Sequence, residues 1–263
     1  MDRDYVDSLV ALMEKSREKL KEVSERFLSD TFFVPVIGAE IEFFLADADV
    51  EQIKEVCVRE KIDIWDVKKE EGKDQWEISV THKSNPLTIA DAIAKIRELF
   101  EEADFSAVPI GEKFGNSMQI HISLLDKELK NIFEKNGDEE SEYMHYAIGG
   151  LLKAMPECMN VYAPYEQCYE RLKKDRNAPS TISWGGNNRT VALRLPATTM
   201  QNFNRRIEHR VASADADPYM VISSILQGVA KGILNKTMPE SDKIYGDASL
   251  EMYALPKLVE GNC

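Results

Sequence analysis

Cysteine is scarce in this sequence: four residues in 263, with no pair at CxxC spacing. Cys57, Cys158, Cys168 and Cys263 are too few and too scattered for a disulfide framework. They read as buried or free thiols of a cytoplasmic protein. Long apolar runs are missing too. No stretch approaches the roughly 20 residues a membrane-spanning helix needs, and the first residues form a charged amphipathic helix instead of a signal peptide. Positive charge is in short supply, with 33 Lys and Arg against 46 Asp and Glu and a net charge of -13. That balance argues against a nucleic-acid or anionic-membrane partner, both of which need a positive surface. No internal repeat, low-complexity segment or obvious linker divides the chain. Its 43% hydrophobic and 30% charged residues are an ordinary globular mixture, long enough to bury a substantial core.

What is present is a mixed order of helices and strands. Helical periodicity runs over 4–29, where Leu9, Met13, Leu20, Val23 and Phe27 form part of a stripe, and again over 48–60, 86–103, 139–155, 157–172 and 217–236. Pro86 opens one of these helices, and Asp217 followed by Pro218 opens another, as cap and first-turn residue. Strand alternation marks 34–45, 74–82, 116–125, 189–196 and 205–212. These strands lie too far apart in sequence for simple hairpins.

The run GAEIEFFL, residues 38–45, sets two carboxylates two residues apart inside an apolar strand. Alternation puts Glu40 and Glu42 on one face and Ile41 and Phe43 on the other, with the acids roughly 7 Å apart. At an effective dielectric near 20 they repel by about 2 kcal/mol, which a cation between them would relieve. The same alternation sorts three more strands. Gln75, Glu77 and Ser79 oppose Trp76, Ile78 and Val80. Ser117, Gln119, His121 and Ser123 oppose Met118, Ile120, Ile122 and Leu124. Arg206, Glu208 and Arg210 oppose Ile207, His209 and Val211. A merely solvated sheet face would also alternate, but it favours Thr, Lys, Ser and Glu. Acids, amides and arginine forks in this combination suit Mg²⁺ or Mn²⁺ and a phosphate or carboxylate substrate, and so point to phosphoryl transfer.

From about residue 36 to 236 these segments resemble the catalytic domain of glutamine synthetase. GAEIEFFL resembles the family's Gly-x-Glu-x-Glu-Phe strand. EEGKDQWEISV resembles its Glu-x-x-x-Gly-Gln-x-Glu segment, with Asp74 in place of the Gly. GNSMQIHISL, APYEQCYERL, APSTISWGGNNRTVALRLP and RRIEHRVASADADPYM follow further family motifs in the same order. The resemblance implies an α+β fold, a curved and mainly antiparallel sheet with a polar concave face and helices on the other. The N-terminal helix (1–30) then precedes a catalytic domain (31–263). It places Glu42, Glu70 and Glu77 on the ligands of a first metal, and Glu40, Glu208 and Gln119 on those of a second. His121, Arg189 and Arg210 match groups that face ATP phosphates. Gly115, Arg171 and Arg194 match the surroundings of the amino-acid substrate, and Arg189 and Arg194 the catalytic arginines.

Several positions depart from the family pattern. Gln119 stands where the family has a metal-binding histidine, and Phe114 where it has an asparagine near the amino-acid substrate. Gln167 and Cys168 replace an Asn-Ser pair. Asn177 replaces a loop glutamate that helps deprotonate the amine. One helix stands where the family has an N-terminal domain that completes a neighbouring subunit's site. The implied activity is therefore an ATP- and Mg²⁺- or Mn²⁺-dependent carboxylate–amine ligase working through an acyl phosphate of glutamate or a related acid. Its partners are small molecules, with a homo-oligomer as the expected assembly. The alternative is a catalytically impaired relative with a nucleotide-binding, regulatory or scaffold role.

Overall fold

A computed structural model of the chain describes residues 3–174, 178–198 and 204–259. Helix α1 (Arg3–Thr31) leads into β1 (Val34–Phe44), followed by α2 (Val50–Arg59), β2 (Ile64–Lys69) and β3 (Gln75–Lys83). Then come α3 (Pro86–Leu99), β4 (Met118–Leu125), α4 (Glu142–Ala154), the single turn α5 (Met159–Tyr162) and α6 (Glu166–Lys174). The short strands β5 (Trp184–Gly185), β6 (Leu193–Arg194) and β7 (Ile207–His209) precede the last helix, α7 (Pro218–Asn235). The strands form one seven-stranded open sheet in the order β2-β3-β1-β4-β7-β6-β5. Every neighbouring pair is antiparallel except β5–β6. The fold is thus α+β, as the motifs imply.

Local chemistry explains most boundaries. Asp49 accepts from the Gln52 amide while the Gln52 side chain accepts from the Asp49 amide, a capping box that starts α2. Asn85 caps α3 ahead of Pro86, and Asp217 accepts from the amides of Tyr219 and Met220 at the start of α7. Lys236, at φ 50°, turns the chain out of α7 in the left-handed region.

Four expectations need correction. The helix expected over 157–172 is broken at 163–165, around Pro164, into α5 and α6. The stretch 64–69 forms an edge strand, β2, which the alternation did not mark. Its Trp65 is 82% exposed, so the segment lacks the half-buried signature of the other strands. The expected strand over 189–196 shrinks to Leu193–Arg194 because the Asn188 side chain accepts from both the amide and the hydroxyl of Thr190. That local turn competes with extended pairing. The strand over 205–212 is likewise regular only over Ile207–His209.

The apolar faces of β1, β3 and β4 contribute Ile37, Ile41, Phe43, Ile78, Ile120 and Ile122 to the core, all at 0% exposure. Full burial of each such side chain contributes about 1.5–3 kcal/mol. Helix α3 packs on β1 and β3, and α7 is covered in turn by α1, α3 and α4. Leu20, Val23 and Phe27 of α1 join the same buried cluster. Cys57 and Cys168 are buried and Cys158 half-buried, all three as free thiols; Cys263 lies outside the described residues. No described helix is long and apolar enough to cross a membrane.

The α4–α7 contact is a close backbone approach. A Cβ on Gly232 would sit 2.1 Å from the Tyr146 carbonyl oxygen, and one on Gly150 2.2 Å from the Gly228 oxygen. In an open helix Gly→Ala stabilises by about 1 kcal/mol. Here the overpacking outweighs that gain, so Gly232→Ala is expected to be net destabilising by about 1–3 kcal/mol. Urea denaturation measures it, and a stability equal to or above wild type would show that the two helices can separate at little cost.

Candidate active site

Strand register assembles the polar faces into rows. Lys68 of β2 pairs with Glu77 of β3, which pairs with Glu42 of β1. Ser79 pairs with Glu40, which pairs with Gln119 of β4. His121 pairs with Glu208 of β7, and Glu208 with Arg194 of β6. These rows floor a cavity of about 310 Å³. It is lined by Glu40, Glu42, Glu70, Glu77, Gly115, Gln119, His121, Arg189, Arg194, Glu208 and Arg210. Lys68, Glu71, Gln75, Phe114, Asn187 and Arg206 line it as well.

Arg171 is the one sequence-expected residue that does not reach this cavity. It is 3% exposed and lies beneath Gly115, where an added Cβ would fall 2.6 Å from the Arg171 Cγ. Its Nη2 donates to the carbonyls of Val211 and Ala212. Glycine at 115 is thus what lets the chain pass between the Ala107 carbonyl, 2.4 Å from such a Cβ, and the Arg171 stem. Arg189 and Arg194, five residues apart, would face opposite ways in an ideal strand. They share the cavity because Arg189 belongs to the turn after Asn188 and only Arg194 to the strand. Asp74, in place of the family's glycine, adopts φ 60° in the β2–β3 turn, a left-handed conformation that Asp tolerates better than most residues.

The charges are densely paired. Glu208 is fully buried and accepts from Arg194 Nη1 at 2.6 Å and from Arg210 Nη1. Asn187 Oδ1 accepts from Arg194 Nε and Nη2 at 3.0 and 2.6 Å, so the Arg194 fork is held from both sides. Gln119 Oε1 accepts from Arg210 at 2.9 Å, while its Nε2 donates to Glu42 Oε1 and Ser117 Oγ. The Ser117 amide donates to Glu42 Oε2 at 2.7 Å. His121 accepts at Nδ1 from Arg206 Nε at 3.1 Å, and its Nε2 lies 3.2 Å from Glu40 Oε1 without a well-aligned hydrogen bond. Lys68 Nζ sits 3.0 Å from both Glu70 Oε1 and Glu77 Oε1.

The acids respond unequally. Burial works to raise the Glu40 carboxyl, but His121, Lys68 and Arg194 more than offset it and hold it down to about 2. Burial pushes Glu42 up to about 7, helped by Glu70 and opposed by the Ser117 amide and Arg171. Burial, with Glu40, Glu42 and Glu70 nearby, drives Glu77 well above the ordinary carboxylate range despite Lys68. On Lys68 burial acts downward, yet Glu77 and Glu70 raise its ammonium above its usual value. Around Glu42 and Glu77, which resist ionisation, this oxygen-rich, buried cluster is short of positive charge. That is the donor chemistry a hard divalent cation takes. Among the described residues, however, no three His, Cys, Asp or Glu side chains converge in a ligating group. The chain's own cations stand among them instead.

Sequence reasoning did not single out Lys68 or Asn187 for the site. Lys68 lies on the strand that alternation missed, and Asn187 meets Arg194 only through the turn that precedes β6. Asn177 and Asp175 lie outside the described residues.

An open sheet with acids on one side of its polar face and arginine forks on the other agrees with what the sequence profiles find. The profile described as "Glutamine synthetase, catalytic domain" matches residues 48–255, and the chain belongs to the glutamine synthetase family. Among curated relatives it is 35% identical over 195 residues to "Gamma-glutamylputrescine synthetase PuuA" of Escherichia coli (strain K12), covering 71% of this chain and 40% of that one. It is 32% identical over 192 residues to "Glutamine synthetase" of Halobacterium salinarum (strain ATCC 700922 / JCM 11081 / NRC-1), covering 69% and 40%. The solved structure "GmaS/ADP complex-Conformation 1" superposes with a TM-score of 0.78 at 24% identity, over 93% of this chain and 65% of that one. The chain thus spans 40% of the length of these two curated relatives.

Proposed function

We propose that the chain carries out ATP- and divalent-metal-dependent ligation of a carboxylate, glutamate or a related acid, to an amine through an acyl phosphate. The observation that carries this reading is one cavity with carboxylates on β1 and β3 facing arginines on and beside β6 and β7. Glu42, Glu70 and Glu77 would hold one ion, and Glu40, Glu208 and the Gln119 amide oxygen a second. When bound, these ions supply positive charge against the ATP phosphates. The chain's own residues do the rest. His121, Arg189 and Arg210 face the phosphates. Arg194, fixed by Glu208 and Asn187, stabilises the transferring phosphoryl group. Gly115 borders the acid substrate, with Arg171 beneath it as a positioning residue. The substrate carboxylate oxygen takes the γ-phosphoryl group as ADP leaves. The amine nitrogen then displaces phosphate from the acyl carbon and loses a proton.

That last proton decides the amine. A neutral amide at Asn177 cannot accept it, so free ammonium is a poor substrate near neutral pH. An amine that brings its own binding groups suffers less. The likeness to a γ-glutamylputrescine synthetase supports an organic amine. The test is phosphate release from ATP across a panel of acids and amines at pH 7 and pH 9. Glutamate with a primary alkylamine is expected to exceed glutamate with ammonium by at least about tenfold at pH 7, the equivalent of about 1.4 kcal/mol. Asn177→Glu is expected to raise the ammonium rate. Robust ammonium turnover at pH 7, unaffected by substitution of Asp175, would contradict this account of the loop.

The commitment of Gln119 to Arg210 and Glu42 favours a second reading, a nucleotide-binding relative that does not turn over. ATP raising the melting temperature, with no phosphate release from any acid–amine pair, would select it.

A further inference from the structure

We propose that Lys68 is a tethered cation that holds Glu70 and Glu77 together in the metal-free protein and competes with a divalent ion for those two carboxylates. It would thereby set the affinity of this side of the cavity. The inference rests on the metal-dependent reading above and adds to it a residue whose role is to weaken one ion site.

The geometry is specific. Lys68 lies on the edge strand β2, directly opposite Glu77 in the β2–β3 ladder. Its Nζ is equidistant, at 3.0 Å, from one oxygen of Glu70 and one of Glu77. The Glu77 side chain is 2% exposed and that of Glu70 22%, whereas Lys68 keeps 44% of its side chain in solvent. The acids are therefore built into the site, and the ammonium reaches them from the rim on a flexible stem.

A divalent ion takes carboxylate oxygens at about 2.0–2.2 Å. An ion held by these two oxygens would fill the volume the ammonium now fills. Two cations cannot share it, so the lysine has to withdraw into the solvent that already surrounds its stem. The neighbouring Lys69 provides an internal comparison. Its ammonium lies 5.6 Å from the centroid of the Trp76 ring, on the face of the sheet away from the acids. Removing it deletes the same charge without emptying the seat.

The test is Mn²⁺ titration of the nucleotide-free protein, reading free Mn²⁺ by electron paramagnetic resonance, so that turnover plays no part. Lys68→Met is expected to bind Mn²⁺ about tenfold more tightly than wild type, or more. Lys68→Gln is expected to change in the same direction, and it serves if the methionine variant does not fold. Lys69→Met should stay within about twofold of wild type, and Lys68→Met/Glu77→Gln should lose the gain. Mn²⁺ affinity in Lys68→Met and Lys68→Gln that is equal to or weaker than wild type overturns the proposal. An equal gain in Lys69→Met overturns it as well, since the effect would then be bulk charge. Absence of Mn²⁺ binding in every protein at millimolar concentration would overturn the metal-dependent reading itself, a distinct outcome.

Discussion

Glu208→Gln is expected to lower the free energy of unfolding by about 3–5 kcal/mol, the range for breaking a buried ion pair by removing one partner. Glu208 has no exposed surface and neutralises two guanidiniums at once, Arg194 and Arg210, whose side chains are 16% and 7% exposed. The glutamine keeps the shape but leaves two positive charges beside each other with no counter-charge between them. Arg210 would retain its hydrogen bond to the Gln119 oxygen and Arg194 its two to Asn187, which sets the lower end of the range. Urea denaturation followed by circular dichroism measures the change. A loss below about 1 kcal/mol would mean that solvent reaches these arginines.

Arg194→Ala is expected to reduce phosphoryl transfer from ATP on the order of 10³-fold while weakening ATP binding by less than about tenfold. The split follows from the proposed role. A preoriented cation aimed at developing charge acts mainly in the transition state, and removing one such donor costs about 2.7–4 kcal/mol in characterised sites. Here the orientation is visible, with Asn187 gripping two guanidinium nitrogens and Glu208 a third. Arg194→Lys should recover little, because an ammonium cannot make the same forked contacts. Asn187→Ala should give a smaller loss of the same kind. The measurement is single-turnover phosphate transfer beside an ATP binding isotherm. Parallel losses in binding and in rate would reassign Arg194 to ground-state binding.

The polar face on β1, β3 and β4 was legible in the sequence because a period of two survives wherever one side of a strand is buried and the other lines a cavity. Ile41 and Phe43 against Glu40 and Glu42 is the plainest instance. Pro86 and the Asp217–Pro218 pair announced their helices for equally local reasons. What stayed hidden was non-local. Lys68 meets Glu77 only through strand register, and its strand carries an exposed Trp65 that blurs the alternation. Arg189 shares the cavity with Arg194 because the Asn188 side chain turns the chain first. Arg171 carried a family motif but lies under Gly115, where only the packing could put it.

The order of strands across the sheet also shapes how the cavity is put together. β7 and β6, which bring Glu208, Arg210 and Arg194, lie next to β4 in space but far beyond it in the chain. During synthesis the acids of β1 and β3 emerge first, and the arginine bank that faces them emerges much later. Loop closure over such separations is slow and rewards the chain only at the end. The acid rows and the Lys68 contact involve only residues of the early half. The arginine side of the cavity needs the later strands as well. Completion of the cavity therefore requires docking of the strands that carry its positive charge.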